Sequence, residues 1–318
     1  MDQHSVESLT IDVIIPVYKP DSKFMLLIER LVKQKVKPQH IILLHTIEEK
    51  DTENEIVKDA LNYSTDSCQI LCMDIQKSEF DHGGTRNFGA SLSKADIIMF
   101  MTQDAVPVDR SLIQHLLEPF QNPQIAVAYG RQLANSKSSL IEQYTRQFNY
   151  PDTNQVKSVN DLPELGIKTY FCSNVCAAYR NSVYTELGGF VTKTIFNEDM
   201  IMAAGIIQAG YSIMYAAEAK VIHSHSYTYR QQFQRNFDLA VSQQQYKEIF
   251  DTVKSETEGI KLVTDTLRYL IDEKQYLLIP DLIFQSGFKY LGYKTGRHYT
   301  AFPKKLIKKL SMNPSYWS

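Results

Sequence analysis

The stretch Ile97-Ile98-Met99-Phe100-Met101-Thr102-Gln103-Asp104 changes character once, at its end. An unbroken apolar run of this length reads as a strand buried on both faces. Its carboxyl end delivers a hydroxyl, an amide and a carboxylate to one place. Working back from it, helical spacing covers Gly84–Ser93, and Gln69–Ile75 reads as a strand. Glu53–Leu61 reads as a helix and Ile41–Leu44 as a strand. Phe24, Leu27, Ile28 and Leu31 mark another helix, and Ile11–Val17 is a further buried strand that closes on Pro16-Val17-Tyr18. Working forward, Arg110–Phe120 is helical and Ile125–Tyr129 returns to strand. This alternation predicts an α/β fold, a mainly parallel sheet with helices on both faces. Ligands of such sheets bind at the carboxyl ends of the strands.

The second half is less regular. Thr169–Tyr179 reads as a strand. Asn197 is expected to cap a helix from Glu198 to Ala209, with Gly210 as its stop. Two short strands follow, Ser212–Tyr215 and Lys220–His223. From Thr228 the pattern is helical, broken at Pro280 and Pro303. Ser136–Lys168 is expected to hold one helix and a loop.

With 318 residues, 43% hydrophobic and 22% charged, the chain is of ordinary globular composition, which excludes collagen-like, mucin-like and wholly disordered classes. The net charge of −2 hides a division. After Asp281 there is no acid, yet Lys289, Lys294, Arg297, Lys304, Lys305, Lys308 and Lys309 follow, leaving 27 basic against 36 acidic residues before them. The polar start, Met1 to Asp12, does not resemble a signal peptide. No apolar run approaches the roughly 18–20 residues of a membrane span, so a cytoplasmic protein is expected. Cys68, Cys72, Cys172 and Cys176 have a C-x3-C spacing that reads better as buried thiols in a reducing compartment than as a zinc site.

No phosphate-binding P-loop, dinucleotide fingerprint, G-x-S-x-G or H-E-x-x-H is present. The basic charge is terminal and lacks an aromatic RNA-binding signature, so no nucleic-acid partner is expected. What remains is a series of polar groups at strand ends: Pro16-Val17-Tyr18, Asp81-His82-Gly83-Gly84-Thr85-Arg86-Asn87, Thr102-Gln103-Asp104, Asn197-Glu198-Asp199, and His223 with His225. Acids beside helix amino ends suit a metal-bound diphosphate, because the cation takes carboxylate and imidazole while backbone N–H groups favour the anion.

These pieces, in this order over about residues 11–240, resemble the inverting family 2 glycosyltransferases of GT-A fold. Ile14-Ile15-Pro16-Val17-Tyr18 is similar to the strand that contacts the nucleoside, and Gly84-Thr85-Arg86-Asn87-Phe88-Gly89 to the family's A-R-N-x-G segment. Thr102-Gln103-Asp104 stands at its metal-binding D-x-D, and Gly188-Gly189-Phe190 at its G-G-F turn. Glu198-Asp199, Gly210-Tyr211 and His223 resemble its G-E-D, G-Y and H elements. Two departures stand out. Thr102 replaces the first Asp, and His45-Thr46-Ile47-Glu48 replaces the acid after the second strand. Phe80–Asn87 with Thr102–Ala105 resembles the bacterial rhamnosyltransferase branch.

The resemblance implies a GT-A catalytic domain over residues 1–240, with a donor half of about 1–130 and an acceptor half of about 131–240. A helical, basic extension occupies 241–318. It implies Asp199 as the catalytic base, favoured in its ionised form by the helix macrodipole. Pro16, Val17, Tyr18, Gly84, Arg86, Asn87, Gln103 and Asp104 would bind the donor. Asp104 and His223 would hold Mg2+ or Mn2+, with His225 competing for the latter role. Arg235, in a degenerate Q-x-x-R-W segment, would assist the diphosphate. The donor implied is dTDP-L-rhamnose and the acceptor a polyprenyl-diphosphate-linked glycan. The alternatives are another hexosyl or galactofuranosyl transfer from a UDP-sugar, and a non-catalytic glycan-binding protein on the membrane. In the tail, Phe284, Phe288 and Leu291 share a helix face and Lys304–Leu310 forms a basic amphipathic turn. These suit peripheral attachment to an anionic membrane, with a solvated basic helix packed on the domain, or a homodimer contact, as the competing uses.

Overall fold

The computed structural model describes residues 9–48, 54–251 and 256–317. The first strands are β1 (Ile11–Val17), β2 (His40–Ile47), β3 (Gln69–Gln76) and β4 (Ile97–Met101), separated by α1 (Ser22–Val32), α2 (Glu55–Leu61) and α3 (His82–Ser91). All pair in parallel, in the order β3-β2-β1-β4. β1 and β4 are buried almost throughout, as their apolar runs require. The chain leaves β1 to one side for β2 and returns to its other side for β4. The crevice beyond β1 and β4 is therefore the switch point at which sheets of this kind bind ligands.

Past β4 the sheet becomes mixed. The remaining strands are β5 (Val106–Pro107), β6 (Ile125–Leu133), β7 (Gln155–Lys157), β8 (Cys176–Arg180) and β9 (Ser212–Ile222). β8 lies antiparallel between β4 and β6, β6 and β9 are parallel, and β5 and β7 run antiparallel on β9. Helices α4 (Leu112–Leu117), α5 (Leu140–Asn149), α6 (Leu162–Leu165), α7 (Asn181–Glu186) and α8 (Glu198–Gln208) complete the region. One core lies between the sheet and α1, α2 and α4; the other lies beneath α3, α7 and α8.

Three expectations are corrected here. The two strands expected over 212–223 are one, β9. The stretch Ala216–Lys220 lacks β-branched side chains, but the strand passes through it on a register shift opposite Gly130 and Arg131. The strand expected from Thr169 begins only at Cys176, because residues 166–170 form a 3-10 turn. That turn serves the buried Lys157, whose Nζ takes the Lys168 carbonyl at 3.1 Å and also the Phe171 carbonyl. Asn197 precedes α8, but with a left-handed backbone (φ 66°) and no side-chain bond to the helix. The four thiols are free; Cys68, Cys172 and Cys176 are buried, while Cys72 is half-buried beside His45 and Asp74. Glu53 lies outside the described residues.

The C-terminal helices are α9 (Tyr229–Gln245), α10 (Lys247–Phe250), α11 (Glu256–Asp272), α12 (Ile279–Arg297) and α13 (Lys304–Leu310). α9 is continuous through residue 240 and packs along α12. A Cβ on Gly292 would stand 2.2 Å from the Phe233 carbonyl oxygen, and one on Gly296 2.3 Å from that of Phe237. Only glycine lets the two helices approach this closely. α13 buries Ile307 against Phe237 and Val241.

Candidate active site

At the end of β1, Val17 points into the core, Pro16 is half-buried, and Tyr18 is turned to the crevice edge. The amide of Tyr18 donates to Gln103 Oε1 (2.7 Å), and Gln103 Nε2 donates back to the Tyr18 carbonyl (2.9 Å). The side chain of Gln103 is thus spent on tying the β1 and β4 ends together. The Tyr18 hydroxyl bonds Glu48, and Lys77 Nζ reaches both groups at 2.7 and 2.8 Å. Hydrogen bonds from Lys77, Tyr18 and Lys19 hold the Glu48 carboxyl down at about 2.

Asp81 caps α3 through the Gly84 amide (2.6 Å) and takes the Lys193 amide on its other oxygen (2.9 Å). Asn87 bolts this helix to the glycine turn. Its Nδ2 donates to the Phe190 carbonyl, and its Oδ1 accepts from the Phe190 amide, both at 2.8 Å. Arg86 is buried. Its Nη1 donates to the His82 carbonyl (2.9 Å) and pairs with Glu198 at 3.2 Å. Both Arg86 and Asn87, read in the sequence as donor contacts, spend their side chains inside the protein.

Asp199 accepts the amides of Asn174 (3.1 Å) and Met200 (2.8 Å). The helix end and its amides favour the ionised form, as expected, but they act against burial. Burial and the adjacent Glu198 charge outweigh the two amides and raise its pKa. Burial pushes Glu198 the same way, but Arg86 and His82 beside it more than offset that and keep it ionised. The result is a carboxylate pair with separated proton affinities.

A second cluster forms where β4 and β9 end. His223 Nε2 lies 3.6 Å and His225 Nε2 3.3 Å from Asp104 Oδ2, and the two nitrogens are 3.0 Å apart. His223 Nδ1 is 2.9 Å from Gln132 Oε1, which can only accept; this puts the proton on Nδ1 and leaves the Nε2 lone pair for a ligand. Burial holds His223 down at about 3 and lowers His225 as well, so both rings are neutral near pH 7. Octahedral ligands at about 2.1 Å from an ion lie about 3 Å from each other. One carboxylate and two neutral imidazoles at this spacing fit a divalent cation. Both histidines border this position beside Asp104. Thr102 adds nothing: its hydroxyl is buried and has no partner. Arg235, on α9, stacks over Phe196 and Tyr227 with ring centroids 4.7 and 5.7 Å away.

Sequence reasoning missed Asn174 and Glu198 as supports of Asp199, and Gln132 as the group that orients His223. Asn174 reaches Asp199 through its backbone amide, which no side-chain pattern announces. Gln132 has no signal either, because its partner lies on another strand.

The profile of glycosyl transferase family 2 matches residues 12–188. The chain belongs to glycosyl transferase family 2. This glycosyltransferase is 38% identical over 312 residues to the O-antigen chain rhamnosyltransferase RfbN of Salmonella typhimurium, covering 98% of this chain and 96% of that one. It is 40% identical over 288 residues to the O-antigen chain rhamnosyltransferase WbaN of Salmonella anatum, covering 90% and 88%. Among solved structures it resembles the mannosyltransferase PcManGT of Pyrobaculum calidifontis in complex with GDP-Man and Mn2+ (TM-score 0.57, 12% identity, 93% of this chain and 75% of that one). It also resembles S. aureus TarS 1-349 in complex with UDP-GlcNAc (TM-score 0.51, 13% identity, 92% of each chain). The fold of this family 2 enzyme is GT-A, followed by a helical C-terminal region. Among the described residues no helix is long and apolar enough to cross a membrane.

Proposed function

We propose that this enzyme transfers L-rhamnose, with inversion, from dTDP-L-rhamnose to a polyprenyl-diphosphate-linked glycan of a bacterial surface polysaccharide. The identity with two O-antigen chain rhamnosyltransferases over nearly the whole chain carries the reading. The catalytic unit is residues 1–240, divided near 130 into donor and acceptor halves. Residues 241–318 hold it at the inner face of the cell membrane. Transfer from a UDP-sugar is the second reading.

Asp199 is the base. Its raised proton affinity makes it a stronger acceptor for the sugar hydroxyl proton than an ordinary carboxylate, and the Asn174 and Met200 amides fix its oxygens. Glu198 and Arg86 position it from behind. Tyr18 borders the nucleoside, and Gln103 fixes its backbone. Arg235 adds positive charge toward the diphosphate from α9; the Gly84 amide at the α3 amino end is already taken by Asp81. Asp104, His223 and His225 would hold the divalent cation; two imidazoles beside one carboxylate favour Mn2+ over Mg2+. When bound, the ion would offset charge gathering on the departing diphosphate. Attack opposite the leaving group needs no protein nucleophile.

The test is a thermal-shift screen of sugar nucleotides with and without Mn2+. Binding to the folded state raises its stability by mass action. The expected result is the largest rise with dTDP-L-rhamnose plus Mn2+. A larger rise with a UDP-sugar overturns the donor assignment.

A further inference from the structure

We propose that the outward face of α12, together with the turn before it, is the surface on which this protein lies against an anionic lipid bilayer. The inference takes only its purpose from the lipid-linked acceptor proposed above; its evidence is separate. Leu277 is 94% exposed, Ile283 62%, Phe284 57%, Tyr290 60% and Leu291 55%. Phe284 and Leu291, two turns apart, share one face of α12, and Leu277 stands in the 3-10 turn just before it. The opposite side of α12 is already spent: Leu282 packs with Ile141 and Leu270, and Gly292 and Gly296 press on α9. The stripe is therefore held outward by rigid packing, and large apolar side chains in such an array mark an interaction surface.

The occupant follows from charge. No acid follows Asp281 and seven basic residues do; Arg297 is paired with Asp251 at 3.0 Å and Lys289 is half-buried, so the exposed charge is carried by Lys294, Lys304, Lys305 and Lys309. Lys294 is exposed at the rim of the stripe, its Nζ 5.6 Å from the centre of the Tyr290 ring. A bilayer accepts this combination, with apolar groups entering between headgroups and lysines meeting lipid phosphates. A second copy of the chain would set the same basic rim against itself. α13 takes a different part from the one its sequence implies. Its Ile307 is buried in the protein, while Lys304, Lys305, Leu306 and Lys309 are exposed, so α13 offers mainly charge at the surface.

The face is also continuous with the active site. Tyr229 stacks on Phe288 (5.5 Å) and leans on Phe284 (6.0 Å). Two residues before it, Tyr227 lies between His225, at 5.2 Å, and Arg235. An acceptor anchored in the bilayer beneath α12 would approach the active site along this aromatic run.

The experiment is co-sedimentation of the full chain with phosphatidylglycerol/phosphatidylcholine vesicles and with pure phosphatidylcholine vesicles, at low salt. It compares the wild type with the triple variant Leu277→Ser, Phe284→Ser, Leu291→Ser. The expected result is binding to the anionic vesicles that falls at least about tenfold in the variant. Its melting temperature and its transfer to a water-soluble short-chain acceptor should be unchanged. No wild-type binding, or equal binding by the variant, overturns the proposal. So does a wild-type dimer that the substitutions convert to monomer, since the face would then serve self-association. Vesicle binding without transfer by the wild type defeats the functional reading and leaves this surface standing.

Discussion

Two groups of ionisable side chains serve the same strand edge on opposite terms. Arg86, Glu198 and Asp199 contain their own cation. The pair is buried at 3.2 Å, and backbone amides fill the oxygens of Asp199. Asp104, His223 and His225 contain one acid and two neutral rings, with no cation among them. Folding pairs a cation with an acid in the first cluster, while the second gathers groups that could take a divalent cation. A buried charge paired with its opposite sets geometry, whereas lone pairs gathered beside an acid without a cation offer a place for one.

The comparison breaks first at Asp199. With Asp199→Asn, kcat should fall by about 10²–10⁴-fold, while calorimetry shows donor affinity unchanged; retained turnover dismisses Asp199 as the base. Stability separates the clusters next. Arg86→Met leaves Glu198 buried and unpaired, and denaturant titration should register a loss of about 3–5 kcal/mol. Asp104→Asn, measured the same way without metal, should stay within about 0.5 kcal/mol of wild type yet lose any Mn2+-dependent rise in melting temperature. Equal losses for the two would erase the distinction. The smallest effect is in pH. Turnover requires ionised Asp199, so kcat/KM falls as pH drops through its raised pKa. Glu198→Gln removes the charge that helps raise it, so the acid limb should move down by about one pH unit. A limb that stays in place means burial alone sets the value.

The parallel half of the sheet was legible because strands buried on both faces, β1 and β4, must be apolar along their whole length. β8 and β9 were harder. Cys176-Ala177-Ala178-Tyr179-Arg180 and Ala216-Ala217-Glu218-Ala219 carry little β-propensity and are held in the sheet by tertiary packing. The acids and histidines of the site were legible because they fall at strand ends. Which of them pair was not. Arg86 with Glu198, and Gln132 with His223, join residues far apart in the chain, and nothing in local sequence records such a pairing. The same holds for Asn87 and Gln103, whose motifs point outward to a donor while their amides hold the scaffold.

The contact of Gly292 and Gly296 with the α9 backbone has a mechanical consequence. With no side chain between them, α9 and α12 have almost no slack and shift as one piece. Arg235 rides on one helix and the exposed stripe on the other. The two together act as a gauge block: whatever surface supports α12 also fixes the height at which Arg235 stands above it. On the membrane placement proposed above, the distance from that surface to Arg235 would be set once, when the chain folds.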